Sequence, residues 1–286
     1  MKMVKKSLLG LVAVAALVLS LVGCGVKDDT EGIIKGTAGN YSVNYTSNKD
    51  SNDEYRAYKS TTYKHAGELA KITFKKEDIA NAGTSKFGVI FGLKEKKQGS
   101  TNIRNFFIVG LGANGDYYVS KYENIVDIQA ENFGASTSAD ATAGEAKETI
   151  ISTGTSNGIH SSTLYGGNDE DKYAYIWYQV QKNGTIEVKI GNVNEQSNEF
   201  TEWKSKTDYD RVDQTPPFTD TINSYTISAE QSGYSAWTPD AQNHTKINAP
   251  QELVAIYARV QGTKTLNGTV KFVKDFCEAE DIEQID

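Results

Sequence analysis

The sequence predicts an all-β chain, an antiparallel β-sandwich preceded by a targeting segment. Three observations carry that expectation. From residue 40 onward apolar and polar residues alternate with a period of two, the signature of half-buried strands. Three of the four Asn-Gly pairs, Asn114-Gly115, Asn183-Gly184 and Asn267-Gly268, lie between strand-like runs, and Asn-Gly suits the positive φ of a two-residue hairpin turn. No long amphipathic helix is visible; only the stretch from Glu77 to Ala82 reads as a short helical turn. Many antiparallel strands joined by tight turns argue for a sandwich or barrel.

The strands follow in order. Ala70, Ile72 and Phe74 alternate with Lys71 and Thr73. Phe87, Val89, Phe91 and Leu93 alternate with Gly88, Ile90 and Gly92. Ile186, Val188 and Ile190 alternate with Glu187 and Lys189. Val254, Ile256, Ala258 and Val260 alternate with Ala255, Tyr257 and Arg259, and the run from Val270 to Cys277 reads as a last strand. Two stretches break the pattern. Residues 129–172 are rich in Gly, Ser, Thr and Ala, with a possible strand at Thr149–Ser152. Residues 192–250 hold all four Pro and two of the three Trp. Neither has the apolar content for its own core, so both read as long loops on one β-sandwich over residues 40–286.

Composition narrows the function. Hydrophobic residues make up 38% of the 286, enough for a core, and the net charge of -7 disfavours a phosphate backbone as partner. Two Cys cannot make a disulfide scaffold, and three His disfavour a His-rich metal centre. Cys277 reads as a buried structural thiol, with no His close in sequence.

The N-terminus reads as an address. Lys2, Lys5 and Lys6 precede an apolar stretch, Ser7 to Val22, too short for a comfortable membrane span. It ends in Leu21-Val22-Gly23-Cys24, which resembles the lipobox of bacterial lipoproteins. The resemblance implies a signal peptide over residues 1–23, cleavage before Cys24, and acyl chains on Cys24. Residues 24–39 then form a flexible tether. Removing three Lys leaves 27 basic against 37 acidic residues, a net charge of -10. Gly25 is not the Asp that resembles an inner-membrane retention signal, so the outer membrane or cell surface is expected.

Three further segments carry a second resemblance: Phe87-Gly-Val-Ile-Phe-Gly92 with Arg104 to Gly110 and Gly115 to Lys121; Tyr175 to Gly191; and Glu252 to Ala258 with Gly268 to Phe272. Their order resembles the concanavalin A-like, laminin G-like jelly rolls over roughly residues 67–277. These motifs are turns and core positions, so they specify fold better than function. The superfamily includes glycoside hydrolases whose acids stand on one strand as Glu-x-Asp-x-(x)-Glu, so that alternate residues face one cleft. That pattern is absent, and no nucleophile elbow or phosphate loop occurs. Catalytic residues: none, and no enzyme is expected.

Hard oxygen ligands cluster at Asn168-Asp-Glu-Asp171 and at Asp208, Asp210 and Asp213, but neither set has an EF-hand spacing. Calcium is the one cofactor to weigh against none, and no resident metal is assigned. The aromatics say more. With Ala174, Ile176, Tyr178 and Val180 facing a core, Tyr175, Trp177 and Gln179 must face the other way. Flat rings beside amides suit a sugar. Tyr257 and Arg259 face away from their own core positions in the same manner. The expectation is a shallow groove on one sheet lined by Tyr175, Trp177, Gln179, Tyr257 and Arg259. Trp203, Tyr234 and Trp237 either rim a site or pin a loop. The expected function is a non-catalytic carbohydrate-binding module on a membrane-anchored surface lipoprotein. The alternative is an adhesin or interaction lipoprotein that binds host or envelope proteins.

Overall fold

A computed structural model describes residues 33–37, 39–48, 54–64, 66–126, 144–155, 171–238 and 253–275. Thirteen strands form two sheets in which every pairing is antiparallel. In chain order they are β1 (Ile34–Thr37), β2 (Asn40–Thr46), β3 (Glu54–Lys64), β4 (Gly67–Phe74), β5 (Lys86–Gln98), β6 (Thr101–Gly112) and β7 (Asp116–Ile125). Then come β8 (Lys147–Thr155), β9 (Lys172–Val180), β10 (Ile186–Val193), β11 (Phe218–Ile227), β12 (Leu253–Gln261) and β13 (Thr265–Asp275). One sheet runs β1-β2-β13-β4-β9-β10-β11. The other runs β3-β12-β5-β6-β7-β8. The two sheets face each other across one hydrophobic layer, and the fold is an antiparallel β-sandwich.

Period-two alternation builds that layer. Ala174, Ile176, Tyr178 and Val180 of β9 meet Phe87, Val89 and Phe91 of β5 and Val254, Ile256, Ala258 and Val260 of β12 in one buried cluster. The Phe91 and Tyr178 rings stack across the interface at 4.4 Å. Each such side chain contributes about 1.5–3 kcal/mol on burial. The alternation breaks at Leu93. Gly92 has φ 62° and the β5–β6 register shifts between Phe91 and Lys94, so this bulge turns Leu93 to the opposite face.

Of the three Asn-Gly pairs named above, two make hairpins. Gly115 N–H donates to Gly112 O at 3.0 Å and Gly184 N–H to Gln181 O at 2.8 Å. In each, only the glycine takes a positive φ, 92° and 82°. That is a turn closed by a left-handed glycine rather than the two-residue form. Asn267-Gly268 is no turn. It lies within β13, paired to β2 on one side and, at Gly268, to β4 on the other. The chain reverses instead between Gln261 and Thr265, where Thr263 has φ 61°. Gly268 is needed for a close approach: a Cβ there would stand 2.2 Å from the Thr73 carbonyl oxygen.

The two expected long loops also change. The strand at residues 149–152 extends over Lys147–Thr155 as β8. Residues 192–250 hold a ten-residue strand, β11, and three short helices, α2 (Asn198–Ser205), α3 (Asp208–Arg211) and α4 (Ala229–Ser232). α1 (Ile79–Ala82) follows a 3₁₀ turn at Lys76–Asp78, the one helical region expected. The Ser197 hydroxyl caps α2 by accepting from Phe200 N–H at 3.1 Å. Ser228 and Gln231 form a capping box on α4. Cys24 and Cys277 lie outside the described residues. Among the described residues no helix is long and apolar enough to cross a membrane.

Candidate functional site

The outer face of the seven-stranded sheet is closed. Leu69, Tyr175, Trp177 and Val193 pack under Phe200 and Trp203 of α2, a second and smaller core. Trp177 is 2% exposed and Tyr175 0%. The polar ends are used internally. Tyr175 O–H donates to Glu195 Oε1 at 2.5 Å, and Lys71 Nζ donates to the same oxygen at 3.1 Å. Burial pushes the Glu195 carboxyl up, but the bonds from Tyr175 and Lys71 and the Lys71 charge outweigh it and hold the group below its ordinary value. Gln179 Oε1 accepts from Gln181 Nε2 at 3.2 Å. Trp203 Nε1–H donates to Gln214 O at 3.3 Å, and Trp237 Nε1–H to Gln181 O at 2.8 Å. Lys94 Nζ sits 3.9 Å from the Tyr234 ring centroid. These aromatics pin the 194–238 segment to the sheet.

The groove expected from sequence is therefore corrected on two counts. Tyr175 and Trp177 are covered because α2 lies on them, and Gln179 and Tyr257 are buried as well. They also do not share a sheet: Tyr175, Trp177 and Gln179 stand on the outer face of the seven-stranded sheet, while Tyr257 and Arg259 stand on β12 of the six-stranded one. The periodicity assigned the inward faces correctly. It could not tell that the two outward faces point in opposite directions.

The outer face of the six-stranded sheet is also mostly buried: Ile90, Ile108, Ala255 and Tyr257 are no more than 4% exposed and form a further core cluster. Its register gives rows. Tyr257, Gly88, Gly110 and Tyr118 stand side by side across β12, β5, β6 and β7. The Tyr118 ring lies across Gly110, where a Cβ would fall 2.2 Å from its Cε1. One row toward the Asn114-Gly115 hairpin, Arg259 pairs with Lys86 on β5 and with Arg56 on β3. Lys86 Nζ sits 4.9 Å from the Tyr118 ring centroid. On the other side of the tyrosines lie Ala255, Ile90, Ile108 and Ser120. The Ser120 hydroxyl is buried without a hydrogen-bond partner. Ile150 on β8, opposite Ser120, is 56% exposed. Farther along, Tyr122 O–H donates to Glu148 Oε1 at 2.8 Å.

Tyr257 and Tyr118 form a floor, 0% and 7% exposed, while Lys86, Asp116 and Arg259 at the rim keep partial exposure. Burial pushes the Lys86 ammonium down from its usual value, with Asp116 acting weakly against that, and burial also lowers Arg259. Sequence reasoning named Tyr257 and Arg259 here. It missed Lys86, Tyr118 and Ser120, whose outward direction was readable from the inward alternation of Phe87, Val89 and Val119.

Of the calcium clusters, Asn168, Asp169 and Glu170 lie outside the described residues, while Asp171, Asp210 and Asp213 have other partners. Burial would raise the Asp171 carboxyl, but the 2.6 Å bond from Lys75 Nζ and the Lys76 N–H hold it low. Asp213 pairs with Lys182 at 3.3 Å and accepts from its N–H. Among the described residues no three His, Cys, Asp or Glu converge as metal ligands. Nor does any described strand carry two carboxylates at alternate positions.

No family model matches the sequence, and no curated protein matches it. Solved structures do resemble it in the path of the chain. One is a Bacteroides ovatus family 16 glycoside hydrolase from a mixed-linkage glucan locus, in complex with a glucan product. It is 10% identical, with TM-score 0.38 and 84% of each chain covered. Another is a Bacteroides ovatus family 16 endo-glucanase, 9% identical, with TM-score 0.36 and again 84% of each covered. A third is the calcium- and mannose-bound lumenal domain of VIP36, 9% identical, with TM-score 0.34, covering 89% of this chain and 84% of that one. These correct the expectation of a non-catalytic module that is no enzyme. Glycoside hydrolases stand beside a sugar-bound domain among the similar structures.

Proposed function

We propose that this chain is a carbohydrate-active protein of the bacterial envelope, acylated at Cys24, which takes a glycan on the outer face of its six-stranded sheet. One observation carries the choice of face. The chain seals the other outer face with its own α2, whereas here the partly exposed Lys86 and Arg259 and the exposed Ile150 stand above a buried tyrosine row. The exposed Ile150 offers apolar contact to sugar C–H faces, and Lys86 and Arg259 offer hydrogen bonds to hydroxyls.

The test uses the full chain in detergent. A panel of soluble polysaccharides is titrated by calorimetry, and the same mixtures are assayed for new reducing ends, so binding and hydrolysis are read together. Ile150→Glu places a charge on the exposed part of the face, where substitution moves stability by no more than about 0.5 kcal/mol. The expected result is glycan binding by the wild type and at least tenfold weaker binding by the variant at an unchanged melting temperature. Equal binding by both would put the ligand elsewhere. A panel that shows neither binding nor cleavage would favour a surface-protein ligand instead.

A further inference from the structure

The β5–β6 hairpin outruns its neighbours. Among the described residues β12 pairs with β5 no farther than Leu93, and β7 with β6 no farther than Arg104. The ladder from Lys94–Asn105 to Gln98–Thr101 therefore projects as a two-stranded arm. A free hairpin is marginal in water, but this one is fixed at its root. Lys94 Nζ donates to Ser232 O at 2.9 Å and to Gly233 O at 2.8 Å. The arm is basic: residues 94–105 hold Lys94, Lys96, Lys97 and Arg104 against Glu95, in a chain whose net charge is -7. The Lys96 and Lys97 side chains are exposed and, among the described residues, have no hydrogen-bond or ion-pair partner. Their register partners, Ile103 and Asn102, are not acids.

A complement lies in the same chain. Residues 278–286, outside the described residues, carry Glu278, Glu280, Asp281, Glu283 and Asp286 and no cation. β13, which leads to them, ends at Asp275, and the register shows at which end of the sandwich. β13 begins just after β12 turns back, beside the Arg259–Lys86 pair where β5 also begins. A Cβ on Gly268 would stand 2.9 Å from the Phe87 ring, so the two strands set out together. Packed sheets keep their strand directions within about 30°, so both strands run toward the arm's end. At about 3.3 Å per residue, Asp275 lies about 23 Å and the arm's tip about 36 Å from that contact. With the sheets about 10 Å apart, Asp275 is about 16 Å from the tip. The chain from there to Asp286 spans up to about 36 Å, which is ample.

We propose that the arm is a docking surface whose occupant is the acidic run Glu278–Asp286 of the same chain, with Lys96 and Lys97 as its contacts. The glycan reading is not needed for this. Single exposed ion pairs are weak, so the contact draws on several acids meeting two cations on a fixed arm, and it yields to salt. Tethering favours this occupant, because it holds the acids near the arm at about millimolar concentration. An outside polyanion must displace the run to reach the two lysines.

The experiment uses the full chain in non-ionic detergent, as an equal mixture of unlabelled and nitrogen-15-labelled protein. A carbodiimide joins lysine amines to carboxyls in contact with them, and mass spectrometry reads the linked peptides. The expected result is linkage of Lys96 or Lys97 to an acid of residues 278–286, within chains of one label, and at least about fivefold less of it at high salt. Linkage between chains of different label would make a second copy the occupant and overturn the proposal. So would linkage of the two lysines to other acids alone, or to none. The E280Q/D281Q/E283Q variant supplies a readout that does not depend on linkage. Acetylation of Lys96 and Lys97 should speed up at least about threefold in it, while the exposed Lys204 keeps its rate. Unchanged rates at Lys96 and Lys97, with the melting temperature of the wild type, refute the assignment.

Discussion

Replacing Trp177 by Ala should destabilise the fold severely, for a reason that lies in the second core. The indole is 2% exposed and packs among Leu69, Tyr175, Val193, Phe200 and Trp203. An aromatic side chain buries about 150–250 Å², which at about 25 cal/mol per Å² is worth about 4–6 kcal/mol. Truncations of Phe or Trp to Ala in cores cost about 3–5 kcal/mol once partial collapse of the cavity is allowed. For a chain of this size each kcal/mol shifts the melting temperature by about 2–4 °C, so a loss of about 10 °C is expected. Differential scanning calorimetry reads this, with Trp177→Phe as the control at about half the effect. A Trp177→Ala melting temperature within 2 °C of wild type would mean that α2 does not cover the sheet. The indole would then be free as a binding platform, and the closed-face argument would collapse.

Three other outcomes follow from named contacts. Gly268→Ala should cost about 1–3 kcal/mol, because its Cβ would stand 2.2 Å from the Thr73 carbonyl oxygen; denaturant titration measures it, and a neutral result would place the pair in a turn after all. The Glu195 carboxyl is held low in the folded state, so its contribution is present above its unfolded value of 4.5 and is lost as pH falls through the lower folded value. Glu195→Gln should therefore flatten the acid limb of the stability profile below about pH 4.5 and leave the alkaline limb unchanged, as pH-dependent thermal melts will show. Cys24→Ser should move the chain from the detergent to the aqueous phase on partitioning, since the described helices offer no spanning segment, and a variant that stays in detergent would refute acylation as the anchor.

The inward faces of β4, β9, β10 and β12 were legible because burial on one side of a strand imposes a period of two on the sequence itself. The outward faces were not. Whether Trp177 meets solvent depends on α2, an eight-residue polar-looking segment that owes its start to the Ser197 cap and its purchase to Phe200 and Trp203 alone. Sequence marks such a helix weakly, because only two of its eight residues are buried. Asn267-Gly268 misled for a related reason. The dipeptide that suits a turn also suits a strand crowded by a neighbouring backbone, and only the packing of β13 against β4 separates the two cases. The Lys86–Arg259 row was out of reach in another way. Its members are 173 residues apart in the chain and meet only through the register of β5 with β12, which no local pattern encodes.

Strand β9 is enclosed on both faces, by the central core on one side and by α2 on the other. From Ala174 to Val180 no side chain meets water. Its amides should accordingly be among the last in the molecule to exchange with deuterium, opening only with the whole sandwich. Such a strand also has little room for sequence drift, since a substitution at any of its seven central positions strains one core or the other. Variation that retunes the protein for a new ligand then falls to partly exposed positions such as Lys86, Arg259 and Ile150, while the buried strand holds the architecture still.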